Sequence, residues 1–336
     1  MRLTLEGNPL GKNRPFIYLL ILIILAVFLP LILRGAYVRH LLVLTIIFSI
    51  LALSLDVILG YMGQFSFGHQ AFFGLGAYTT GILTVKAGLP VWFSFIAGVA
   101  SAGIFGLFIG LISLKRARGF LLGIITLGLG KIVWLIAMKW SDFTGGNQGL
   151  PDIPFITLRV PFVGKITLNS EFSYYYFALV LLIVTIYLIY VFVNSRFGKA
   201  ISAVRENEEL ANSIGVNPFK CYVGAFTFAC ALAGLAGVTY SHYMTIIGPS
   251  TLSMHYMFWM LVMVIVGGMR TFAGPIFGAV IFVFLPEWLT AAEEFRMVIV
   301  GVIVLLCILF MRRGIVPYLV ELWKNVSERV RLDKKA

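Results

Sequence analysis

Charged side chains are scarce in this chain, and their scarcity excludes a water-soluble protein. Only 12% of the 336 residues are Asp, Glu, Lys or Arg, against 60% that are apolar. A soluble domain is nearer a quarter charged and a half apolar. The long apolar runs lack the alternation of barrel strands, and lipid requires each backbone polar group to be satisfied internally. We therefore predict an integral membrane protein built of helices.

Acidic residues are the scarcer of the two charge types. The chain has 14 Asp and Glu against 26 Lys and Arg, which leaves a formal net charge of +12. A nucleic-acid-binding protein would place such an excess in a basic and aromatic stripe on a soluble domain, which this sequence lacks. Loops that face anionic lipid on the cytoplasmic side explain the excess instead.

Residues that carry metal, redox or nucleotide chemistry are also few. The three cysteines lie in apolar runs without motif spacing, and the four histidines are scattered, which argues against a disulfide framework, a metal site and a membrane enzyme. Gly128–Lys131 resembles part of a phosphate loop, but Ile125 and Ile132 stand where glycine and Ser or Thr are required. We predict no catalytic residue, no metal and no cofactor on this chain.

The apolar runs predict an all-α polytopic transmembrane helix bundle, because about 20 helical residues cross a bilayer of roughly 30 Å. A cytoplasmic N-terminus (1–15) precedes the membrane domain (16–311), and a basic cytoplasmic tail (312–336) follows it. We predict about ten spans, at residues 16–33, 41–59, 64–85, 91–113, 119–138, 173–193, 220–243, 253–269, 273–289 and 297–311.

The distribution of Lys and Arg predicts the orientation of the bundle. With the N-terminus inside, 18 of the 26 basic residues fall in cytoplasmic segments and seven in external ones. Cytoplasmic loops carry such an excess in membrane proteins. An even number of spans then gives an N-in/C-in topology.

The polar segment 194–220 separates two very apolar runs. Its apolar residues recur every three to four positions, which predicts a helix with one apolar face formed by Ile201, Val204, Leu210, Ala211 and Ile214. Gly215 stands where a C-terminal cap belongs, and Asn217-Pro218 prevents continuation. We predict a short, capped helix on the cytoplasmic side of the membrane.

The stretch 60–84 combines six glycines with polar and aromatic residues. Irregular or polar backbone at membrane depth is tolerated only against protein or a water-filled path. We predict that it faces the bundle interior, where it either lines the path or packs tightly against neighbouring helices. The candidate path residues are Gln64, Ser66, Gly68, His69, Phe72, Gly76 and Tyr78.

One long external loop is predicted at 139–172, and its glycines and prolines are typical of turns. It is either a plain connector or the outer mouth, with Thr144, Gly145, Gly146 and Asn147 as the candidate mouth residues. Glycines in 266–289 predict a further internal turn, and Gly98, Ala102, Gly106 and Gly110 predict a close-packed helix face.

Asp56 and Lys131 are charged residues that fall inside predicted spans. An intramembrane charge is costly unless it is paired or hydrated. Each is either a hydrated path residue or a structural anchor to backbone groups. Because they belong at different depths, we do not predict that they pair.

Several of these segments resemble the permease subunits of branched-chain amino acid ABC importers, over about residues 41–316. Glu209, Ala211 and Gly215 have the spacing of the coupling-loop signature in ABC importer permeases, although Leu210 replaces its middle alanine. The sequence GYMGQFSFGHQAFFGLGAY is similar to that family's most characteristic segment. The order of residues in TGGNQGLPDIP and in VGGMRTFAGPIFGAV also resembles the family.

The resemblance implies a type II ABC importer permease-like fold in a bacterial or archaeal cytoplasmic membrane. It implies a second permease subunit, two ATPase subunits that bind ATP and Mg, an external substrate-binding protein and membrane lipid as partners. The substrate would be leucine, isoleucine, valine or a related amino acid. The residues expected to couple to the ATPase are Arg205, Glu206, Glu209, Ala211 and Gly215.

Two alternatives stay open at this point. Permeases for urea and short amides are close relatives of the same fold, and the path residues do not identify the substrate. A secondary transporter driven by an ion gradient would use Asp56, Lys131 or His69 as its coupling site. It would take up substrate without any ATPase partner.

Overall fold

A computed structural model describes residues 26–32, 35–160, 164–288, 295–311, 314–319 and 321. This part of the chain is predominantly helical, and its only strands form one short antiparallel hairpin. The all-α prediction is therefore confirmed, with the hairpin as an addition. The predicted cytoplasmic N-terminus and most of the basic C-terminal tail lie outside the described residues.

The helices follow the predicted spans closely. Residues 26–32 form α1, which hydroxyl groups of Tyr175 and Tyr176 tie to a later helix through the carbonyls of Ala26 and Val27. The longer helices are α2 (Ala36–Asp56), α3 (His69–Val85), α4 (Val91–Ser113), α5 (Phe120–Lys139), α7 (Glu171–Asn194), α10 (Pro218–Met244), α11 (Met254–Gly267), α12 (Ala273–Trp288) and α13 (Arg296–Phe310).

The remaining elements are short and connect the long helices. A π-helical segment, Val57–Met62, continues α2, and 3₁₀ turns lie at Gly146–Gln148 and Pro249–Leu252. The short helices are α6 (Ser141–Thr144), α8 (Arg196–Glu206) and α9 (Glu208–Ser213), and the strands are β1 (Thr157–Val160) and β2 (Gly164–Thr167). Thr157 pairs with Thr167 at the open end of the hairpin.

Five of the described helices are long and apolar enough to cross a membrane, namely Ala36–Met62, α4, α5, α7 and α10. Helices α11 and α12 are apolar but shorter, and the span predicted at 64–85 becomes helical only at His69. The glycine-rich turn predicted in 266–289 is present, because Gly268 and Arg270 have positive φ angles of 119° and 62° between α11 and α12.

Two of the five helices form the centre of the fold. The most apolar window of α2 is 94% buried and that of α10 is 72% buried, whereas the corresponding values for α4, α5 and α7 are 33%, 28% and 28%. The apolar face of a membrane helix can be covered by lipid, so it need not be buried within the chain. The three outer helices therefore leave most of their surface for lipid or for another protein.

Small residues bring the central helices together, as the stripe on α4 predicts. Gly98, Ala102, Gly106 and Gly110 are all buried. A methyl group at Gly106 would lie 2.4 Å from the Cβ of Cys230 on α10, and one at Gly76 would lie 2.8 Å from the Cα of Gly234. Any larger side chain at these positions would push the helices apart.

Candidate functional site

The polar segment 194–220 forms two helices rather than the single helix predicted. Asn207 breaks the segment with extended backbone (φ −155°, ψ 108°), and its side chain accepts a hydrogen bond of 3.0 Å from the amide of Leu210 at the start of α9. Asparagine favours such caps because its short side chain bonds to nearby backbone groups. The predicted termination is correct, since Gly215 has a φ of +87° and Asn217 caps α10 ahead of Pro218.

The break divides the apolar residues between opposite sides, so the prediction of one apolar face is wrong. Ile201 and Val204 of α8 and Ala211 of α9 are buried against the helix bundle. Leu210 and Ile214 are instead 63% and 70% exposed and point away from it. Large aliphatic side chains on an otherwise polar projection are typical of a protein-binding surface.

A cleft of about 430 Å³ opens beside α9. It is lined by polar and charged residues and by the start of α10, namely Arg118, Glu208, Glu209, Asn212, Asn217, Pro218 and Phe219. Arg118 forms an ion pair with Glu208 and lies over the ring of Tyr222, 5.4 Å from its centroid. Because Arg118 precedes α5, the ion pair ties the loop between α4 and α5 to α9.

The inner side of α8 is fastened to the core by Arg205. Its guanidinium donates a hydrogen bond to the carbonyl of Gly60 in the π-helical segment, and its side chain covers Gly63, where an added Cβ would lie 2.8 Å from the Arg205 Cγ. Burial, and secondarily the charge of Arg270, lower the pKa of Arg205. Arg205 therefore contacts its own chain, while Glu206, Glu209 and Gly215 are exposed.

Asp56 completes this inner contact. Its carboxylate is 1% exposed and accepts hydrogen bonds of 3.0 and 3.2 Å from the backbone amide of Arg270, in the turn between α11 and α12. Asp56 therefore acts as an anchor to a backbone amide. It joins α2, the π-helical segment and that turn within one network that also contains Arg205.

The segment between Gly63 and Gly68 is not helical, and the candidate path residues that surround it are all buried within this chain. Gly68 packs against the carbonyl of Thr126, which an added Cβ would approach to 1.8 Å. The Gln64 side chain accepts a hydrogen bond from the amide of Gly119. The close packing is present, while the role of these residues in a path stays a prediction.

Several polar atoms in this region have no hydrogen-bond partner among the described residues. They are the Ser66 hydroxyl, the His69 Nδ1, the Gln70 Oε1 and the Tyr78 hydroxyl. His69 is otherwise held by Ser54, 2.8 Å from its Nε2, and Phe72 lies in the same core. Buried polar groups without partners carry a free-energy cost, so these four atoms are candidates for hydrogen bonds to water or substrate.

The loop that is predicted to be external is attached to the bundle by several hydrogen bonds. Leu150 and Ile247 exchange two backbone hydrogen bonds of 2.7 and 3.0 Å, and His242 Nδ1 lies 2.7 Å from the carbonyl of Pro154. Thr144 hydrogen bonds to the carbonyl of Ala137, while Gly145 and Gly146 have positive φ angles of 79° and 57°. Asn147 is exposed at this turn.

Lys131 lies near the middle of α5 and is exposed on the outer surface of the bundle. Its Nζ lies 3.4 Å from the centroid of the Trp134 ring. A lysine at the centre of a span costs about 2.5–3.5 kcal/mol on insertion scales when nothing pairs or hydrates it. It forms no ion pair with Asp56, whose carboxylate is hydrogen bonded to the amide of Arg270.

Sequence reasoning missed three residues of this site. Asn207 has the sequence signal of a cap, since an acidic pair follows it directly, but the helical periodicity on both sides hid the break. Arg118 and Arg270 carry no local signal, because their partners are 90 and 214 positions away in the chain. Only the folded structure brings them together.

Comparison with known proteins extends these observations. The sequence model of the family described as "Branched-chain amino acid transport system / permease component" matches residues 37–309. The chain is 30% identical to the high-affinity branched-chain amino acid transport system permease protein LivM of Escherichia coli K12, over 94% of this chain and 77% of the relative. No solved structure matches the chain at a significant level.

Two further relatives are more distant. A probable branched-chain amino acid transport permease protein LivM of Methanocaldococcus jannaschii is 26% identical over 66% of this chain and 68% of the relative. The permease protein LivH of the same transport system in E. coli K12 is 23% identical over 80% of this chain and 90% of the relative. One bacterium thus has two different permease proteins that are similar to this chain.

Proposed function

This chain belongs to the branched-chain amino acid transport permease family, and from that premise we propose that it is a transmembrane permease subunit of an ATP-driven importer. It forms part of the path for leucine, isoleucine, valine or a related amino acid. ATP is hydrolysed, with Mg, on separate ATPase subunits. The chain itself holds no cofactor and catalyses no reaction.

The proposed assembly follows from what the relatives are and from the surfaces of this chain. A second permease subunit pairs with this one, since LivM-named and LivH-named proteins occur together in E. coli. Two ATPase subunits bind on the cytoplasmic side, and an external binding protein delivers substrate to the loop around Thr144–Asn147. The complex lies in the cytoplasmic membrane with about ten spans in this chain and both of its termini inside.

The observation that carries the proposal is that α8 is attached to the bundle, whereas α9 is exposed beside the cleft. Helix α8 buries Ile201 and Val204 and bonds to Gly60 through Arg205, so it moves with the bundle. Leu210 of α9 and Ile214, which directly follows α9, are exposed near the cleft. An ATPase that binds α9 would therefore transmit its movement directly to α8 and to the end of α2.

This arrangement gives a mechanism for coupling. Closure of the ATPase pair displaces α9, and Arg205 transmits the displacement to the π-helical segment that follows α2. The segment is hydrogen bonded through Asp56 to the turn before α12. A two-state element that both sites bias is the physical requirement for coupling, and irregular helical turns of this kind are common at functional sites.

The test of coupling uses exposed residues in α9 and directly after it. Leu210→Asp and Ile214→Asp should abolish co-purification of the ATPase subunits and reduce ATP-dependent leucine uptake at least about tenfold, because each places a charge in the centre of an apolar contact. The matched control is Ser213→Asp on the same helix, which should retain both. Glu209→Lys should behave like Leu210→Asp if the cleft is part of the contact.

Two outcomes would contradict the proposal. Normal uptake by Leu210→Asp with the ATPase still bound would remove α9 from the coupling contact. Uptake of leucine by the chain and its second permease without any ATPase would show an ion-coupled transporter instead. Calorimetry of the external binding protein with leucine, isoleucine, valine and urea would identify the substrate class.

A further inference from the structure

The charge of Lys131 lies too deep in α5 to reach the membrane surface. The residue is eight positions from the end of α5 at Lys139 and eleven from its start at Phe120. At about 1.5 Å per residue these distances are about 12 and 17 Å along the axis. A fully extended lysine side chain reaches about 6 Å, so snorkelling does not bring the ammonium to either interface.

Nothing in the described part of the chain neutralises this charge. The two described ion pairs involve Arg39 with Glu171 and Arg118 with Glu208. The contact shown for Lys131 is the face of Trp134, one turn further along the same helix. A cation over an aromatic ring is attracted by it but keeps its need for hydrogen-bond acceptors, since lysine has three donors and the ring has none.

The surface around Lys131 is exposed and mainly apolar. Ile124, Gly128, Lys131 and Leu135 are spaced at three- and four-residue intervals on one side of α5, and all four are exposed. Nothing lies within 4 Å of a Cβ placed at Gly128, so the backbone is accessible directly beside the lysine. One ammonium, a gap and two flanking aliphatic side chains therefore share one surface.

We propose that this face of α5 lines the aqueous path between the two permease subunits and that the Lys131 ammonium binds the carboxylate of the amino acid in transit. The proposal rests on the proposed function. An α-carboxylate supplies the acceptors that Lys131 lacks, and Ile124 and Leu135 accommodate an apolar side chain beside it. The gap at Gly128 lets the substrate approach the helix backbone.

The second permease subunit covers this face of α5, and water and substrate lie between the two chains. Lipid tails cannot satisfy an ammonium at this depth. The second subunit is expected to be homologous, since the chain is similar to both LivM-named and LivH-named proteins of one bacterium. The contact must be weak enough to release the substrate after each passage.

The first experiment measures leucine uptake by the complete complex in proteoliposomes loaded with ATP. Lys131→Met should reduce uptake at least about tenfold, whereas ATP hydrolysis stimulated by the binding protein should fall less than threefold. Lys131→Arg should retain a substantial part of the uptake, because it keeps the charge. Lys139→Met, at the exposed end of the same helix, is the matched control and should transport normally.

The second experiment asks whether water and substrate reach this position. In a background lacking the three native cysteines, Lys131→Cys should react with aminoethyl methanethiosulfonate, which appends a primary ammonium through a disulfide. The reaction should restore uptake, and leucine held by the vanadate-arrested complex should slow it at least about threefold. The sulfonatoethyl reagent, which adds a negative charge, should not restore uptake.

Three results would overturn the proposal. Normal uptake by Lys131→Met, or a cysteine that water-soluble reagents never modify, would place the side chain against lipid or within packed protein. Loss of the second permease subunit from purified Lys131→Met would instead identify an ion pair between subunits. Failure of the wild-type complex to import leucine would refute the proposed function itself, which separates the two failures.

Discussion

Asp56 at the end of α2 and Lys131 in α5 are both charged residues in apolar helices, yet their surroundings differ. Asp56 is buried in the centre of the fold and accepts two hydrogen bonds from the amide of Arg270. Lys131 is exposed on an outer helix, lies over the ring of Trp134 and takes part in neither ion pair of the described residues. The charge of Asp56 is therefore stabilised by hydrogen bonds within its own chain, whereas the charge of Lys131 requires a partner outside the chain.

The same contrast holds for the helices that carry them. The apolar window of α2 is 94% buried, and that of α5 is 28% buried. Changes in α2 should therefore alter the stability of the chain, while changes in α5 should alter what the chain does with its partners. The predictions below test this contrast on the isolated, detergent-solubilised chain, in order of decreasing effect.

The largest effect is expected at glycine positions with opposite surroundings. A methyl group at Gly60 would lie 2.1 Å from the Asp56 carboxylate and 3.0 Å from the backbone amide of Arg270, whereas one at Gly128 would meet nothing within 4 Å. Gly60→Ala should lower stability by about 1–3 kcal/mol through overpacking. Gly128→Ala should leave it within about 0.5 kcal/mol.

Thermal unfolding in a Cys307→Ser background provides the measurement, because the remaining free cysteines, Cys221 and Cys230, are buried and should become accessible to a thiol dye on unfolding. Equal melting temperatures for Gly60→Ala and Gly128→Ala would mean that the π-helical segment is not packed as described.

The next effect is expected from the Asp56 carboxylate itself. Asp56→Asn keeps the size of the side chain but removes the charge that faces Arg205 and weakens the bond to the Arg270 amide. We expect a loss of about 1–2 kcal/mol, because a hydrogen bond to a charged group contributes about 1.5–3 kcal/mol and the asparagine amide oxygen still accepts a weaker one. The same dye assay applies, and a variant as stable as wild type would return Asp56 to the alternative of a hydrated path residue.

A smaller effect is expected from Arg205, because its side chain is only partly buried. Arg205→Met removes the hydrogen bond to Gly60 but keeps most of the packing over Gly63. We expect a loss of about 1 kcal/mol in stability. In the full complex, ATP hydrolysis should continue with reduced uptake per ATP.

The control for Arg205 is Arg196→Met, which changes an exposed arginine at the start of the same helix. It should preserve both stability and coupling. If Arg205→Met transported with the wild-type ratio of substrate to ATP, the link between α8 and the end of α2 would not transmit movement.

The smallest effect on stability is expected at Lys131, the residue that differs most from Asp56 in its surroundings. Lys131→Met should change the stability of the isolated chain by no more than about 0.5 kcal/mol, since it removes an exposed charge with no carboxylate partner in the described chain. A clear loss of stability would show that Lys131 is anchored within its own chain, as Asp56 is. The α5 surface would then need no partner to complete it.

Much of the fold follows from local patterns that the sequence determines by itself. Apolar runs set the positions of α2, α4, α5, α7 and α10, and the small residues of α4 predicted its packing face. Gly215 and Asn217-Pro218 correctly marked the end of the polar helices. These features depend on the chemistry of neighbouring residues in the chain, and family membership follows from the same motifs.

Only the tertiary structure decided which side each functional residue faces. The predicted apolar face groups Leu210 with the buried Ile201 and Val204, yet Leu210 is exposed on α9, beyond the break at Asn207. Asp56 and Lys131 both lie in apolar stretches of the sequence. Of the two, only Asp56 accepts a hydrogen bond from the amide of Arg270, which is 214 positions away from it. Burial and hydrogen bonding between distant segments depend on how helices pack, and no local periodicity encodes that arrangement.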